Sequence, residues 1–238
     1  ESAAARPILQ FQQSSIEPEA GAMIAPEDLQ PGDILLTAVP TLASAGIRLI
    51  TFAPVSHAAV YIGNNEVAEA VRTGVRVRSI ENMLAEETVV LAFRHPDLSA
   101  SQAWRIRAYV LEQIGVNFNY LGAALHAPFS LNRRLCELPL MPSAVRDACI
   151  RSIGAVYHLA TSQRQFFCSQ LVLQAYRHAG VAITDADPRL ITPADILHMR
   201  EGDVPSVRVH THLRPVGHLK NETSTSSGNR GQTTVSAQ

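Results

Sequence analysis

Two short apolar runs separated by a tight polar turn constrain the fold of this chain most strongly. Residues 56–62 read Ser-His-Ala-Ala-Val-Tyr-Ile, residues 66–71 read Glu-Val-Ala-Glu-Ala-Val, and Gly63, Asn64 and Asn65 lie between them. Short β-favouring runs on either side of Asn and Gly are typical of an antiparallel β-hairpin. The chain is therefore expected to build a sheet around this hairpin.

Two ionisable residues interrupt these apolar strands. His57 begins the first strand and Glu69 lies inside the second, where an unpaired buried charge would be costly. A three-residue loop or a bulge would place residues 57 and 69 on one face of the sheet, whereas a plain two-residue turn would place them on opposite faces. A catalytic pair requires the shared face. A structural His-Glu pair that closes the hairpin is the alternative interpretation.

The other patterns predict helices packed against an antiparallel sheet, so the fold class is α+β. Further strands are predicted over residues 34–37, 74–78, 88–94 and 204–209. Helices are predicted over residues 41–50, 80–85 and 166–180, from a Ser99–Gln102 capping box to about residue 114, and after Thr192-Pro193.

Composition separates one folded domain from two loose ends. A hydrophobic share of 46% in 238 residues fits a single globular domain. Residues 1–25 carry few aliphatic side chains and are predicted to be a tether, and residues 219–238 are mostly small and polar and are predicted to be disordered. The domain is therefore expected to span residues 26–218. With 20 Lys+Arg against 21 Asp+Glu, the chain lacks the positive surplus that a nucleic-acid partner requires.

The sequence also bears on the membrane. No apolar run approaches the ~20 residues that a membrane helix needs, so we expect a soluble chain. The chain begins at Glu1 rather than Met, which suggests that a signal peptide or lipoprotein leader was removed upstream. A lipoprotein leader would anchor the protein to a membrane.

Cys168 is the candidate nucleophile. It lies near the start of a predicted helix, where unpaired N–H groups and the helix dipole favour a thiolate. A thiolate that performs acyl transfer also needs an imidazole to exchange protons and a third group to orient that imidazole. Among the nine histidines, His57 stands out because it begins an otherwise apolar strand, and Glu69 is the candidate third group. A small buried residue behind Phe166 and Phe167 is the alternative interpretation of Cys168.

Several motifs in this order resemble a known family. They are Pro-Gly-Asp-Ile at 31–34, Ser-His-Ala-Ala-Val-Tyr-Ile-Gly at 56–63, Val-Ala-Glu-Ala at 67–70 and Phe-Cys-Ser-Gln-Leu-Val at 167–172. The chain is similar to the circularly permuted papain-like hydrolases of the NlpC superfamily, and most of all to its YiiX/YaeF-like group of bacterial envelope proteins. The resemblance spans about residues 28–218. It implies an NlpC-type fold in which the histidine strand precedes the cysteine helix.

The resemblance implies a role for each candidate residue. Cys168 is the nucleophile, His57 the general base and acid, and Glu69 the residue that orients the imidazole. The backbone N–H of Cys168 and the hydroxyl of Tyr120 are candidate donors to the oxyanion, although Tyr120 fits a core aromatic equally well. The related lecithin:retinol acyltransferase-like branch has a second histidine in place of Glu69, so a carboxylate here favours a hydrolase.

The other two cysteines lie in an irregular segment between the sheet and the nucleophile helix. The envelope location implied by the resemblance favours a disulfide between Cys136 and Cys149, worth on the order of 3 kcal/mol in the chain-entropy model. Two unrelated buried thiols are the alternative. The segment, residues 121–165, is predicted to form a lid, and its apolar stretch at 122–129 could close on an acyl chain.

No metal or cofactor site is predicted. His210 and His212 would share one face of a strand, but no third ligand accompanies them at a suitable spacing. No glycine loop of the kind that cradles phosphates is present in the sequence.

These observations lead to three hypotheses about function. The first is a cysteine amidase or peptidase of the periplasm or cell envelope that cleaves amide bonds through a thioester, with peptidoglycan peptide as the substrate class that the family implies. The second keeps the triad for an amide- or ester-linked lipid, as an acyltransferase, thioesterase or deacylase, because of the apolar stretch at 122–129. The third is a binding module on a non-catalytic papain-like scaffold.

Overall fold

The computed structural model describes residues 22–38, 54–118, 166–198 and 209–220, together with seven positions between 136 and 152. A six-stranded antiparallel sheet dominates this part of the chain, with the strand order β4-β3-β2-β1-β5-β6. The strands are β1 (Ile34–Ala38), β2 (His57–Gly63), β3 (Glu66–Val71), β4 (Gly74–Ser79), β5 (Val89–Arg94) and β6 (Arg214–Lys220). The helices are α1 (Ile80–Glu86), α2 (Ala100–Glu112), α3 (Cys168–His178) and α4 (Pro193–His198), with 3₁₀ turns at Pro26–Asp28 and Pro188–Leu190. The predicted α+β class is confirmed.

The β2–β3 hairpin combines a two-residue turn with a bulge. Asn64 and Asn65 have φ angles of 55° and 59°, the left-handed conformation that a type I′ turn requires at both central positions. The register shifts by one residue just before Gly63, while Glu69 lies opposite Ala59 farther along the strands. Because of this bulge, positions 57 and 69 keep the same parity. The structure therefore has the bulged arrangement that a catalytic pair requires.

Each face of the sheet carries its own hydrophobic cluster. Helix α3 covers one face, and Cys168 lies at the edge of that cluster. Helix α1 contributes Ile80 and Met83 to the cluster on the other face. Since the central strands are buried on both sides, their sequences are nearly continuous apolar runs rather than alternating patterns. His57 and Glu69 are exceptions, because each places an ionisable side chain in one of these apolar strands.

Helix α3 is aligned by contacts at both of its ends. Cys168 begins α3, and the Tyr176 hydroxyl near its other end donates to the backbone carbonyl of Gly32. The two side chains are eight residues apart, which is about 12 Å along a helix axis. Gly180, with φ of 78°, follows the helix as the predicted C-terminal glycine.

The capping box that predicts α2 is confirmed. The Ser99 hydroxyl accepts from the backbone N–H of Gln102 at 3.3 Å, and the Gln102 side chain accepts from the backbone N–H of Ser99 at 2.8 Å. The helix ends at Glu112, two residues before the predicted end.

The last strand lies farther along the chain than predicted. The sixth strand is Arg214–Lys220, whereas of the predicted strand at 204–209 only Val209 lies among the described residues and forms one isolated bridge with Thr184. A proline and a glycine interrupt β6, so its pattern is weak in the sequence. Gly217 is needed because a Cβ there would lie 2.5 Å from the carbonyl oxygen of Ala22.

The N-terminal segment follows this edge strand. The backbone N–H of Ile24 donates to the carbonyl of His218 at 2.9 Å, and the N–H of His218 donates to Ala22 at 2.8 Å. Residues 22–24, assigned to a tether from the sequence, thus extend the sheet edge, and β6 continues two residues past the predicted domain end at 218. Residues 1–21 lie outside the described part of the chain.

Three other predictions concern residues that are largely not described. The predicted helix over 41–50, the predicted tail beyond 220 and most of the predicted lid over 121–165 lie outside the described ranges. Within the lid segment, Cys136 and Cys149 form a disulfide with Cα atoms 5.9 Å apart, which confirms the predicted pairing. In the described ranges, every helix is too short or too polar to cross a membrane.

Candidate active site

The structure brings Cys168, His57 and Glu69 together at one end of the sheet. His57 is the first residue of β2, Glu69 lies in the adjacent strand β3, and Cys168 is the first residue of α3. His57 Nε2 lies 2.9 Å from Glu69 Oε2, and the Cys168 thiol interacts with the same imidazole strongly enough to shift the pKa of both groups. Tyr120, the predicted oxyanion donor, lies outside the described residues, so its role stays a prediction.

The charge of Glu69 determines the tautomer of the histidine. Burial would raise the pKa of this carboxyl, but its hydrogen bond with His57 and the positive charges of His57, Arg78 and Arg76 lower the pKa to about 2. A carboxylate can only accept hydrogen bonds, so Nε2 of His57 is the donor. The other ring nitrogen, Nδ1, is therefore the one that faces Cys168.

The His57 imidazole is held in its protonated form. Its side chain is 17% exposed, and burial by itself would lower its pKa. The hydrogen bonds with Cys168 and Glu69, together with their negative charges, outweigh burial and raise the pKa of His57 to about 10. The ring is thus an imidazolium at neutral pH, with one N–H bonded to the carboxylate and the other directed to the sulfur.

The thiol is correspondingly acidified. Burial would raise the pKa of Cys168, but the hydrogen bond and charge of His57 and the backbone N–H groups of Ala58 and Ser169 lower it. Phe167, at the N-cap of α3, makes no side-chain capping bond, so the first turn of the helix can direct N–H groups at the sulfur. The two shifts together favour a thiolate–imidazolium pair over a neutral thiol and imidazole. The Ser169 N–H is one of the helix-start donors expected from the sequence, whereas the Ala58 N–H was missed because a backbone N–H has no signature in residue type.

Two arginines of β4, which the sequence analysis also missed, complete the surroundings of Glu69. The Arg76 Nε donates to Glu69 Oε1 at 2.8 Å, and the Arg78 Nη2 donates to Glu69 Oε2 at 3.1 Å. Arg76 pairs directly with Glu69 in the β3–β4 ladder. The alternation Gly-Val-Arg-Val-Arg at 74–78 was the available signal, because it places both arginines on the face that Glu69 shares.

His210, one of the two histidines considered as metal ligands, lies 2.7 Å from a carboxylate oxygen of Asp185. Among the residues that the structure describes, no group of three or more His, Cys, Asp or Glu side chains is arranged to hold a metal ion.

The order of these elements along the chain defines the class. In papain the cysteine helix precedes the histidine strand, whereas here the histidine strand comes first and the cysteine helix follows about a hundred residues later. The antiparallel sheet, the packed helices and this order are the arrangement expected of the circularly permuted papain-like fold that the motifs resemble.

Comparisons with known proteins identify the family. The chain is 34% identical over 211 residues to a protein of Escherichia coli (strain K12) named "Probable lipoprotein peptidase YaeF", and the match covers 87% of this chain and 77% of that protein. The chain belongs to the YaeF-like family, a family of peptidase-type hydrolases, as its motifs predicted.

Two other comparisons complete this result. No family model matches the chain. The crystal structure of the metalloprotein YiiX from Escherichia coli O157:H7 aligns with a TM-score of 0.47 at 17% identity, over 79% of this chain and 97% of that one.

Proposed function

We propose that this chain is a cysteine peptidase or amidase that cleaves peptide amide bonds through a thioester on Cys168. One observation carries the proposal: His57 Nε2 lies 2.9 Å from Glu69 Oε2, and the same imidazole interacts with Cys168 so that the pKa of the thiol is lowered and that of the imidazole is raised. Similarity to YaeF, which is named a peptidase, supports an amide as the scissile bond.

Acylation begins with attack of the Cys168 thiolate on the carbonyl carbon of the substrate. The S–C bond forms as the carbonyl π electrons move to oxygen, and the oxyanion requires N–H donors. His57 then gives its Nδ1 proton to the leaving nitrogen as the C–N bond breaks. The products of this half-reaction are a free amine and a thioester on Cys168.

Deacylation reverses the role of the imidazole. Neutral His57 accepts a proton from water as the water oxygen attacks the thioester carbonyl, and the C–S bond then breaks. The carboxylic acid leaves, and the thiolate–imidazolium pair is restored. Throughout both steps Glu69 accepts the Nε2–H bond, which keeps Nδ1 directed toward the sulfur and stabilises the imidazolium.

The proposed substrate class is peptidoglycan peptide, and the proposed location is the bacterial periplasm or cell envelope. The substrate class is the one that the family resemblance implies, and two observations support the location. The relative YaeF carries the word lipoprotein in its name. The Cys136–Cys149 disulfide is also of a kind that persists in oxidising compartments such as the periplasm. Cell fractionation that recovers the protein only in the cytoplasm would contradict the location.

The lipid alternative has no structural support of its own. It depends on the apolar stretch at 122–129, which lies outside the described residues. A lipid substrate is therefore one outcome of the test below and not a second proposal.

The test is an assay of the purified chain and its Cys168→Ser variant on a panel of muropeptides and acyl amides, with products identified by mass spectrometry. We expect cleavage of a stem-peptide amide by the native chain and none by the variant. Identical product profiles for the two proteins would overturn the proposal. Cys168-dependent release of a fatty acyl group with no peptide cleavage would favour the lipid alternative.

A control variant shows whether any loss is specific to the site. Ser101→Ala removes an exposed hydroxyl on helix α2, 3.1 Å from the Ser99 hydroxyl and outside the predicted lid. Its activity on the same panel should equal that of the native chain.

A further inference from the structure

Arg78 contacts three carboxylates from two different elements. Its side chain, which is only 8% exposed, donates through Nη1 to Glu86 Oε2 at 2.7 Å and through Nη2 to Glu87 Oε1 at 2.9 Å. Glu86 ends helix α1 and Glu87 is its C-cap. The same guanidinium reaches Glu69 in β3, so one side chain joins α1 to the carboxylate of the site.

The contact with Glu69 involves both carboxylate oxygens. The Arg78 Nη2 donates to Oε2 at 3.1 Å, and Nε lies 2.9 Å from Oε1. Arg76 differs, since it contacts Oε1 alone and its side chain is 45% exposed. Oε2 is also the oxygen that accepts from His57. Arg78 is thus the arginine that touches the oxygen on which the histidine depends.

A glutamate carboxylate needs such a contact to keep one orientation. The terminal torsion of a glutamate side chain has a broad, roughly two-fold distribution, so a single hydrogen bond does not determine which oxygen faces which partner. Arg78 restricts that orientation, because its Nη2 donates to Oε2 while its Nε lies 2.9 Å from Oε1 as a charge contact that makes no hydrogen bond.

We propose that Arg78 is a positioning residue for the reaction: its guanidinium, held by Glu86 and Glu87, orients the Glu69 carboxylate so that Oε2 faces His57. The inference depends on the proposed function only in that Cys168 is taken to be the nucleophile that His57 serves.

The charges around Glu69 predict the direction of a pH effect. The groups that face this network are His57 of β2, Arg76 and Arg78 of β4, Glu86 and Glu87 at the end of α1, and Cys168 of α3. Without the Arg78 cation, each nearby anion loses a favourable electrostatic interaction. The pKa of the Glu69 carboxyl and that of the Cys168 thiol should both rise, so the thiolate should form at higher pH.

The first experiment measures the rate of alkylation by iodoacetamide between pH 3 and pH 9. Since Cys136 and Cys149 are bonded to each other, Cys168 is the free thiol among the three cysteines. For Arg78→Gln we expect the acid-side midpoint to move up by less than the roughly 1 to 3 units that a directly adjacent opposite charge gives, because Arg78 acts on the thiol through Glu69 and His57. An unchanged midpoint would overturn the inference.

A matched control has the same chemical change at the other end of the sheet. Arg94 also makes a two-point contact with a buried carboxylate, that of Asp33. Arg94→Gln should lower stability yet leave the alkylation midpoint where it is in the native chain. An equal midpoint shift in both variants would show that general destabilisation is the cause and would overturn the inference.

A second experiment keeps the charge, so that it does not depend on the folding of Arg78→Gln. Arg78→Lys retains one cation but cannot span two carboxylate oxygens. In proton NMR, the His57 Nε2–H bonded to Glu69 should give a downfield resonance in the native chain and in Arg94→Lys. In Arg78→Lys this resonance should broaden or disappear. A sharp, unshifted resonance in Arg78→Lys would contradict the positioning role.

Both measurements are made without substrate, which separates this inference from the proposed function. A shifted midpoint in a protein that cleaves no amide would support the inference while the proposed function fails. Amide cleavage by the native chain, together with an unshifted midpoint in Arg78→Gln, would overturn the inference while the proposed function holds.

Discussion

Each end of the central strands has a buried carboxylate bound by arginine, but the two carboxylates differ in their other partners. At one end, here called the reactive end, Arg76 and Arg78 bind Glu69, which still accepts from His57. At the other, the anchor end, Arg94 donates to both oxygens of Asp33 at 2.7 and 2.6 Å. Four strand residues, about 13 Å, separate His57 from Tyr61, which marks the anchor end of the same strand.

A pair of histidines shows what distinguishes the two ends. Burial by itself would lower the pKa of His57 and that of His95. At the anchor end, His95 stacks on Tyr176 with ring centroids 6.0 Å apart, and burial outweighs the charge of Asp97, so its pKa stays below the usual value. At the reactive end, Glu69 and Cys168 outweigh burial and raise the pKa of His57. Partners rather than burial therefore make a histidine reactive in this fold.

Helix α3 connects the two ends. Cys168 begins it at the reactive end, and Tyr176 fastens it to Gly32 at the anchor end. The account therefore predicts that changes at the reactive end alter the chemistry of the folded protein, whereas changes at the anchor end lower stability and leave that chemistry unaltered.

The largest expected effect belongs to Cys168→Ala. Turnover should fall by on the order of 10⁴-fold or more, because the covalent intermediate can no longer form. The free energy of unfolding should stay within about 1 kcal/mol of the native value, as is usual when a small side chain is shortened by one atom. Steady-state amide hydrolysis and urea unfolding measure the two quantities. Retained turnover would show that the chemistry does not take place at the reactive end.

Glu69→Gln should reduce turnover by on the order of 10²-fold or more, because an amide does not balance the imidazolium charge and can favour the wrong tautomer. Asp33→Asn is the matched change at the anchor end, and its folded form should turn over at the native rate. If the two variants have equal kcat values, Glu69 is only structural, which is the alternative interpretation of the His-Glu pair. Rates should be compared at equal concentrations of folded protein.

The pH dependence of kcat/KM should be bell-shaped, with losses of about tenfold per pH unit beyond each limb. As the pH falls below the lowered pKa of Cys168, the thiolate is protonated and attack slows. As the pH rises through about 10, His57 loses the proton that the leaving amine requires. The two apparent values belong to the coupled pair. An alkaline limb near pH 6.5, the ordinary histidine value, would contradict the described hydrogen bonds.

Arg94→Gln should cost about 3 kcal/mol of unfolding free energy, at the low end of the range for a broken buried ion pair. The buried Asp33 would lose its cation, while the 27% exposure of Arg94 allows water to compensate in part. The kcat of the folded variant should be unchanged. A loss of kcat at the temperature where the variant is fully folded would show that the anchor end also acts on the chemistry.

Tyr176→Phe has the smallest expected effect. It removes the hydroxyl that donates to the Gly32 carbonyl and should cost about 1 kcal/mol, typical of a single neutral hydrogen bond. Because the ring and its packing remain, the alkylation midpoint of Cys168 should stay unchanged. A shifted midpoint would mean that the position of the thiol depends on the anchor at the far end of α3.

The reactive end was largely predictable because its signals are local in the sequence. A charged residue in an apolar strand, as at His57 and Glu69, requires a partner wherever the strand is buried. The turn at Asn64 and Asn65 limits the register to two alternatives, and the bulge selects the one with a shared face. Cys168 at a helix start is equally local.

The rest depends on how separate elements pack against one another, which local patterns in the sequence do not specify. Arg78 meets Glu87 only because α1 returns beside β4, and no spacing rule encodes that return. The anchor contact of Arg94 with Asp33 spans 61 positions. Strand β6 was misplaced because Gly217 is present for a close approach of the N-terminal segment, so it appears in the sequence only as an interruption.

The central claim is that Cys168 carries the acyl group, and intact-mass analysis of the chain quenched during turnover of a muropeptide tests it most directly. The account predicts an adduct with the mass of the acyl part of the substrate, located on Cys168 and absent from Cys168→Ser. Continued hydrolysis by Cys168→Ser, with no adduct on the native chain at any quench time, would contradict it.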